Sequence, residues 1–267
     1  LKLTEIINSN PNDAEAHYNR GLLIYTFECD FENLPFQDED ETEDEWDDIT
    51  EEAALDDFEK AIELNPNLAK AFAMRGNLYL YKAFYWDEEE KFDLAMADFD
   101  KALSIDKNCK EAYLGQGDFY DKKQAYEKSA QLYSKAIAID NNYIAAYRRR
   151  AVVYSLTDDQ KCLFDYNKIL ELDPYDHYTY FNRGMWYFDE RDYRNAISDF
   201  TKAIESNKDD DRSYYYYNRG QAYIEINEKQ KAISDFRKTI AIEETEEDEN
   251  PEFDYKTEAE KWIEKLL

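Results

Sequence analysis

Residues 181–204 read FNRGMWYFDERDYRNAISDFTKAI, and residues 217–240 restate the pattern as YNRGQAYIEINEKQKAISDFRKTI. Both stretches carry Asn-Arg-Gly and then an aromatic three residues after the glycine, Tyr187 and Tyr223. Both continue with a small residue (Ala196, Ala232), an Asp-Phe pair (Asp199-Phe200, Asp235-Phe236) and a lysine two positions on (Lys202, Lys238). Small residues and rings at i+3 and i+4 spacings suit two helices packed closely on one another. The small residue admits the partner backbone and the ring fills the groove beside it.

The same phase recurs upstream. Arg20-Gly21, Arg75-Gly76, Gln116-Gly117 and Arg150-Ala151 occupy the small-residue slot, and Phe58, Phe99, Tyr133 and Tyr166 the ring slot. From each ring to the next small residue is 18, 18, 18, 18 and 20 residues, whereas small residue to ring within a unit is 37, 23, 16, 15, 16 and 16. The underlying period is therefore about 34 residues, with the surplus confined to the first two units.

The order Gly, Tyr, Ala, Phe, Ala, Pro at this period resembles the tetratricopeptide repeat (TPR), in the bacterial type that carries Asn-Arg-Gly. Pro66 and Pro174 fill the closing proline slot, while Lys107, Asn141, Lys208 and Glu244 replace it. The resemblance implies an all-α fold, an α-α superhelix or TPR solenoid of about six repeats. The expected array is 14–246, divided as 14–68, 69–109, 110–143, 144–176, 177–210 and 211–246. Residues 1–13, with Leu1, Leu3, Ile6 and Ile7 before Pro11, read as the tail of a preceding repeat helix, so further sequence is expected upstream. Residues 247–267 place Ala259, Trp262, Ile263, Leu266 and Leu267 on one stripe, the pattern of a capping helix that covers the last repeat.

The surplus in the first unit is an insertion at about 28–48. From Glu28 to Glu52 there are 14 Asp or Glu and no Lys or Arg, with Phe31, Phe36 and Trp46 among them. It reads as a solvated acidic loop, with an interaction arm for basic targets as the sharper alternative. Its Asp38-Glu39-Asp40-Glu41 run lacks the glycine and spacing of an EF-hand loop. The second surplus, near Tyr85 to Lys91, is expected to add one turn to each helix rather than to form a loop.

Composition narrows the function. The net charge of -29 opposes binding to nucleic-acid phosphates or anionic lipid and favours a basic protein or peptide partner. No apolar run reaches the roughly 20 residues of a membrane span. Cys29, Cys109 and Cys162 fit neither a zinc spacing nor a disulfide framework, which points to a reducing, cytoplasmic compartment. The two histidines, His17 and His177, are far apart, and no nucleophile elbow, phosphate loop or metal cluster is present. No enzymatic activity, cofactor or metal is expected, and the oligomeric state is left open.

Arginine precedes the small residue in five repeats (Arg20, Arg75, Arg150, Arg183, Arg219), and aspartate precedes the ring in the same five (Asp57, Asp98, Asp165, Asp199, Asp235). The third repeat loses both, with Gln116 and Leu132. Joint loss points to direct contact, an Arg–Asp pair joining helices. These arginines are therefore excluded from the ligand site.

The family resemblance places ligands in a groove lined by first helices. Carried over position by position, it names Tyr18, Asn19, Leu22 and Tyr25; Met74, Asn77 and Tyr81; Leu114 and Asp118; Arg148, Arg149 and Val152; Phe181, Asn182, Met185 and Phe188; and Tyr217, Asn218 and Gln221. Amides that bond both peptide N–H and C=O, beside aromatic rings, suit an extended peptide. Arg148 and Arg149 are read either as holding a ligand carboxylate or as balancing nearby acids. Some family members clamp chaperone tails with a Lys/Asn/Arg set; here Ala73 stands at the lysine position, so that role is not favoured. The expected function is a non-catalytic protein- or peptide-binding scaffold, with a structural assembly component as the alternative.

Overall fold

The computed structural model describes residues 6–7, 10–28, 51–86, 88–157, 160–207, 212–244 and 254–267. The acidic insertion and Cys29 lie outside them. All regular structure among the described residues is helical. The chain divides into two compact units, Leu1–Arg149 and Arg150–Leu267.

In the first unit, α1 (Ala14–Glu28) packs on α2 (Glu51–Leu64), α3 (Ala69–Tyr85) on α4 (Lys91–Ile105), and α5 (Lys110–Lys122) on α6 (Tyr126–Ile139). The first helices of successive hairpins also touch, α1 with α3 and α3 with α5. Helix α7 (Ile144–Leu156) carries the division between the units. The second unit continues with α8 (Cys162–Leu172), α9 (His177–Asp189), α10 (Tyr193–Ser206), α11 (Ser213–Glu225), α12 (Lys229–Glu243) and α13 (Tyr255–Leu266). Here α9 pairs with α10 and α11 with α12, and α13 lies on α11 and α12. Each unit thus stacks helical hairpins in the manner of a solenoid, with each hairpin burying its ring slot: Phe58, Phe99, Tyr133, Phe200 and Phe236 are all fully buried.

The small-residue slot exists for close approach. A Cβ built on Gly184 would stand 2.7 Å from Cε1 of Phe200, and one on Gly117 only 2.3 Å from Cε1 of Tyr133. Neither distance is sterically possible without moving the ring, so glycine fixes how near the two helices of a hairpin lie.

The connections explain why the closing proline can be absent. One residue before that slot stands Asn65, Asp106, Asp140 or Asp173, and each side chain accepts from the backbone N–H two residues on, at 2.9–3.1 Å. This Asx turn ends the helix and turns the chain without help from proline. Within three hairpins the turn instead uses a left-handed residue: Gln124 (φ 57°), Arg191 (φ 61°) and Asn227 (φ 62°).

The second insertion behaves differently from expectation. Helix α3 has 17 residues against 13 in α5, about one added turn, but α4 has 15 against 14 in α6. Most of what remains is taken up in the connection between α3 and α4. There Tyr85 and Trp86 are exposed, and the Trp86 N–H bonds back to the Lys82 carbonyl at 3.0 Å.

Candidate interaction surface

The arginines are settled first, because they look like a ligand array and are not one. Arg20 donates from Nε to Asp57 Oδ2 at 2.6 Å and from Nη2 to Oδ1 at 2.7 Å. Arg75 grips Asp98 at 2.7 and 2.8 Å, Arg150 grips Asp165 at 2.9 and 2.6 Å, and Arg219 grips Asp235 at 2.8 and 2.9 Å. Arg183 makes the same fork to Asp199. Every pair joins the two helices of one hairpin, and every aspartate is buried. Burial pushes the Asp165 carboxyl up, against the pull of Arg150. In the third hairpin Gln116 reaches instead to Asp100 on the preceding hairpin at 2.9 Å, and Leu132 is buried where the aspartate would be.

The expected groove residues divide into two sets. Some are built into packing. Tyr18 (7% exposed) sits with its ring 6.2 Å from that of Phe58, Met74 (6%) is in the same core, and Tyr217 (5%) lies 5.7 Å from the Phe236 ring. Tyr25 and Leu22 pack on that first core, and the Tyr81 ring meets Tyr85 at 5.0 Å, tilted by 37°. Phe181 is wedged between Tyr214 and Tyr215, with ring centroids at 4.9 and 5.0 Å, and Phe188 meets Tyr193 at 5.4 Å.

The polar positions form the second set. Asn19 is exposed, and the Asn77 amide lies 3.7 Å from Met74 Sδ. Asn218 donates to the Tyr214 carbonyl at 2.7 Å, and Gln221 to the Tyr217 hydroxyl at 2.8 Å. Asp118 accepts from Tyr133 at 2.8 Å, and Arg149 Nε lies 3.4 Å from Asp118. That ion pair is the charge-balancing arrangement for Arg149; Arg148 is half-buried beside it.

Helix α13 explains the burial of Tyr217. The Tyr255 ring stands 5.3 Å from Tyr217, and Trp262 stacks on Phe236 at 6.3 Å and 11°. Ala259, Ile263 and Leu266 complete the contact. The first-helix face of the last hairpin is thus covered by the chain itself.

Two cavities are lined by described residues near these positions. One of about 650 Å³ in the first unit is lined by His17, Arg20, Asp57 and Arg75, groups already committed to one another: His17 Nδ1 lies 2.9 Å from Asp57 and its Nε2 3.2 Å from the Pro11 carbonyl. The other, about 250 Å³, lies between α7, α8 and α9 and includes Asn182 and Met185. Register reasoning identified those two residues but not Ser155, Tyr166, Trp186, Asp189 and Glu190, which share the cavity.

No group of three or more His, Cys, Asp or Glu among the described residues is arranged to hold a metal ion. No helix among them is long and apolar enough to cross a membrane. Cys109 and Cys162 are both buried, and burial pushes the Cys109 thiol up to about 12.

Comparison with known proteins gives a consistent result. A family model described as tetratricopeptide repeat matches residues 87–144 and 181–246. A TPR repeat-containing protein of Methanocaldococcus jannaschii is 23% identical over 175 residues, 65% of this chain and 30% of that protein. This chain spans about a third of the length of the curated relatives it matches. Among solved structures, YrrB, a TPR protein with an unusual peptide-binding site, superposes with a TM-score of 0.58 at 25% identity, over 76% of this chain and 97% of that one. PilF of Pseudomonas aeruginosa gives a TM-score of 0.66 at 17% identity, over 94% of this chain and 99% of that one, a likeness of fold alone. Phased glycine–ring hairpins, the family match and these neighbours agree on an all-α tetratricopeptide-repeat solenoid.

Proposed function

We propose that this chain is a non-catalytic scaffold that binds an extended protein or peptide segment along the first helices of its repeats. The repeats are taken as 14–68, 69–109, 110–143, 144–176, 177–210 and 211–246, with 247–267 as cap. The observation that carries the reading is the division of labour among polar groups. All five repeat arginines are spent on internal aspartates, while Asn19 stays exposed and Asn182 borders an open cavity. Side-chain amides can serve both edges of a peptide backbone, and neighbouring rings add contact area at low entropic cost. YrrB supplies a precedent of comparable fold with a peptide-binding site. The charge of -29 favours a basic partner and disfavours nucleic acid. A cytoplasmic setting is proposed with it.

The assembly reading has its own support in Leu156 and Phe164, 62% and 65% exposed on α7 and α8. Large apolar side chains left open on repeat arrays are one source of self-association.

Affinity capture from the source cell tests the first reading. The wild type is compared with Asn182→Ala/Met185→Ala and with Arg148→Glu/Arg149→Glu. Loss of the same captured proteins in the first variant supports the groove; an unchanged set in both sinks it. A Leu156→Ser/Phe164→Ser variant that alone lowers the sedimentation coefficient transfers support to assembly.

A further inference from the structure

The cavity between α7, α8 and α9 has a composition that general peptide binding does not require. Its lining is mostly polar: Ser155, Asn182, Asp189 and Glu190 stand beside Met185, Trp186 and Tyr166, and Asp189 and Glu190 are exposed. Trp186 packs on the cluster of Ala151, Cys162 and Tyr166, and its ring meets Tyr187 edge-on at 5.5 Å, so the indole is held in place. Neither Asp189 nor Glu190 forms an ion pair with a described lysine or arginine. Arg183, on the same helix, is spent on Asp199 and on Asn167, the latter at 2.5 Å.

We propose that this cavity anchors one lysine or arginine side chain of an extended protein segment. The volume of about 250 Å³ is below the roughly 300 Å³ at which small-molecule sites begin, and suits a single long side chain. Such a side chain is a methylene stem with a cationic head. The stem lies on Met185 and Tyr166, the head meets the carboxylates of Asp189 and Glu190, and the indole face of Trp186 attracts the same charge. Asn182, on the same wall, is placed for the backbone of the segment that carries the side chain. A glutamate or aspartate side chain is rejected by the two carboxylates, and an aliphatic one leaves them unanswered. The strongly acidic chain raises the local concentration of basic segments around the site.

This inference rests on the groove reading above, and one experiment separates the two. The probes are pools of blocked decapeptides with randomised flanks and a fixed central lysine, norleucine or glutamate. The readout is the backbone and indole ¹H–¹⁵N NMR spectrum of the full chain, with the Trp186 indole signal assigned by Trp186→Phe. The lysine pool is expected to move that signal with an apparent affinity at least fivefold above the norleucine pool. Asp189→Asn/Glu190→Gln, two exposed positions whose change leaves the fold intact, is expected to remove that advantage. Equal response to lysine and norleucine, or an advantage that survives in the double variant, overturns the proposal. Shifts at Asn19, Asn77 or Asn218 with Trp186 unmoved overturn the pocket and leave the groove standing. No shift on any first helix with any pool overturns both.

Discussion

Arg183 and Asp199, sixteen residues apart, meet through two parallel hydrogen bonds, Nε to Oδ2 at 2.7 Å and Nη2 to Oδ1 at 2.8 Å, across the two helices of one hairpin. The planar guanidinium fixes distance and rotation together, which a lysine could not do. The rings of Tyr180 and Tyr187 flank the charge, the former 5.7 Å from the guanidinium carbon. With glycine setting the depth of approach at Gly184 and the ion pair setting the rotation, the hairpin geometry is determined twice over.

Removing one partner leaves the other buried. Asp199→Ala is therefore expected to cost about 3 kcal/mol, read as a lowered urea midpoint by circular dichroism. Arg183→Met/Asp199→Leu together should recover much of that loss, because no charge is left behind. A single-variant loss of only about 0.5 kcal/mol, the worth of an exposed pair, would show the fork to be incidental to the fold.

Much of this was legible in the sequence because each element is local and repeated. Gly184 and Phe200, or Arg183 and Asp199, fall at the same offset in several copies, so a contact between helices appears as a correlated spacing. The joint loss at Gln116 and Leu132 made the pairing readable without coordinates. What the register could not give was burial that depends on a third element. Tyr18 and Met74 are covered because neighbouring first helices pack on each other, and Tyr217 because α13 folds back over it. The carried-over groove positions assume those faces are open. The cavity at Trp186 was missed for the same reason: it draws on three helices, and no period links Ser155 to Asp189. The Asx turns did leave a signal in Asn65, Asp106, Asp140 and Asp173, each one residue before the proline slot.

The left-handed turns are open to improvement. Arg191 holds φ 61° at the α9–α10 turn, a conformation that costs a β-carbon-bearing residue but not glycine. Arg191→Gly is expected to raise stability by about 0.5–1 kcal/mol. Asn227→Gly, at φ 62°, should gain less, since asparagine tolerates this region. Thermal midpoints of the two variants check the order; a destabilised Arg191→Gly would mean the arginine side chain contributes more than its backbone strain costs.

Burial predicts inert thiols. With the Cys109 thiol pushed up to about 12, the thiolate at pH 8 is about one part in ten thousand, and Cys162 is enclosed as well. In a Cys29→Ser background, labelling by a disulfide reagent at pH 8 should be slow in native buffer and should reach two equivalents in denaturant. Rapid labelling of the native protein would show that these helices open far more often than their packing implies.

The last helix carries a pH dependence whose sign is fixed by its cap. Asp254 accepts the Thr257 N–H at 2.7 Å, and these bonds to Thr257 hold its carboxyl below the usual aspartate range. A depressed folded value means the ionised form is favoured in the docked helix. Its contribution is complete above the unfolded value of about 3.9 and is lost as pH falls through the lower folded one. The Thr257 amide ¹⁵N shift should therefore titrate with a midpoint below that of free aspartate, and a midpoint at or above it would remove the cap from the account. Asp254→Ala should loosen α13 at every pH and expose Tyr217 and Phe236, which Tyr255 and Trp262 now cover. Loss of the stacked Trp262 signal in near-ultraviolet circular dichroism reports that release. Because the same release uncovers a first-helix face, the variant should also gain peptide contacts at Tyr217, which ties the cap to the extent of the groove.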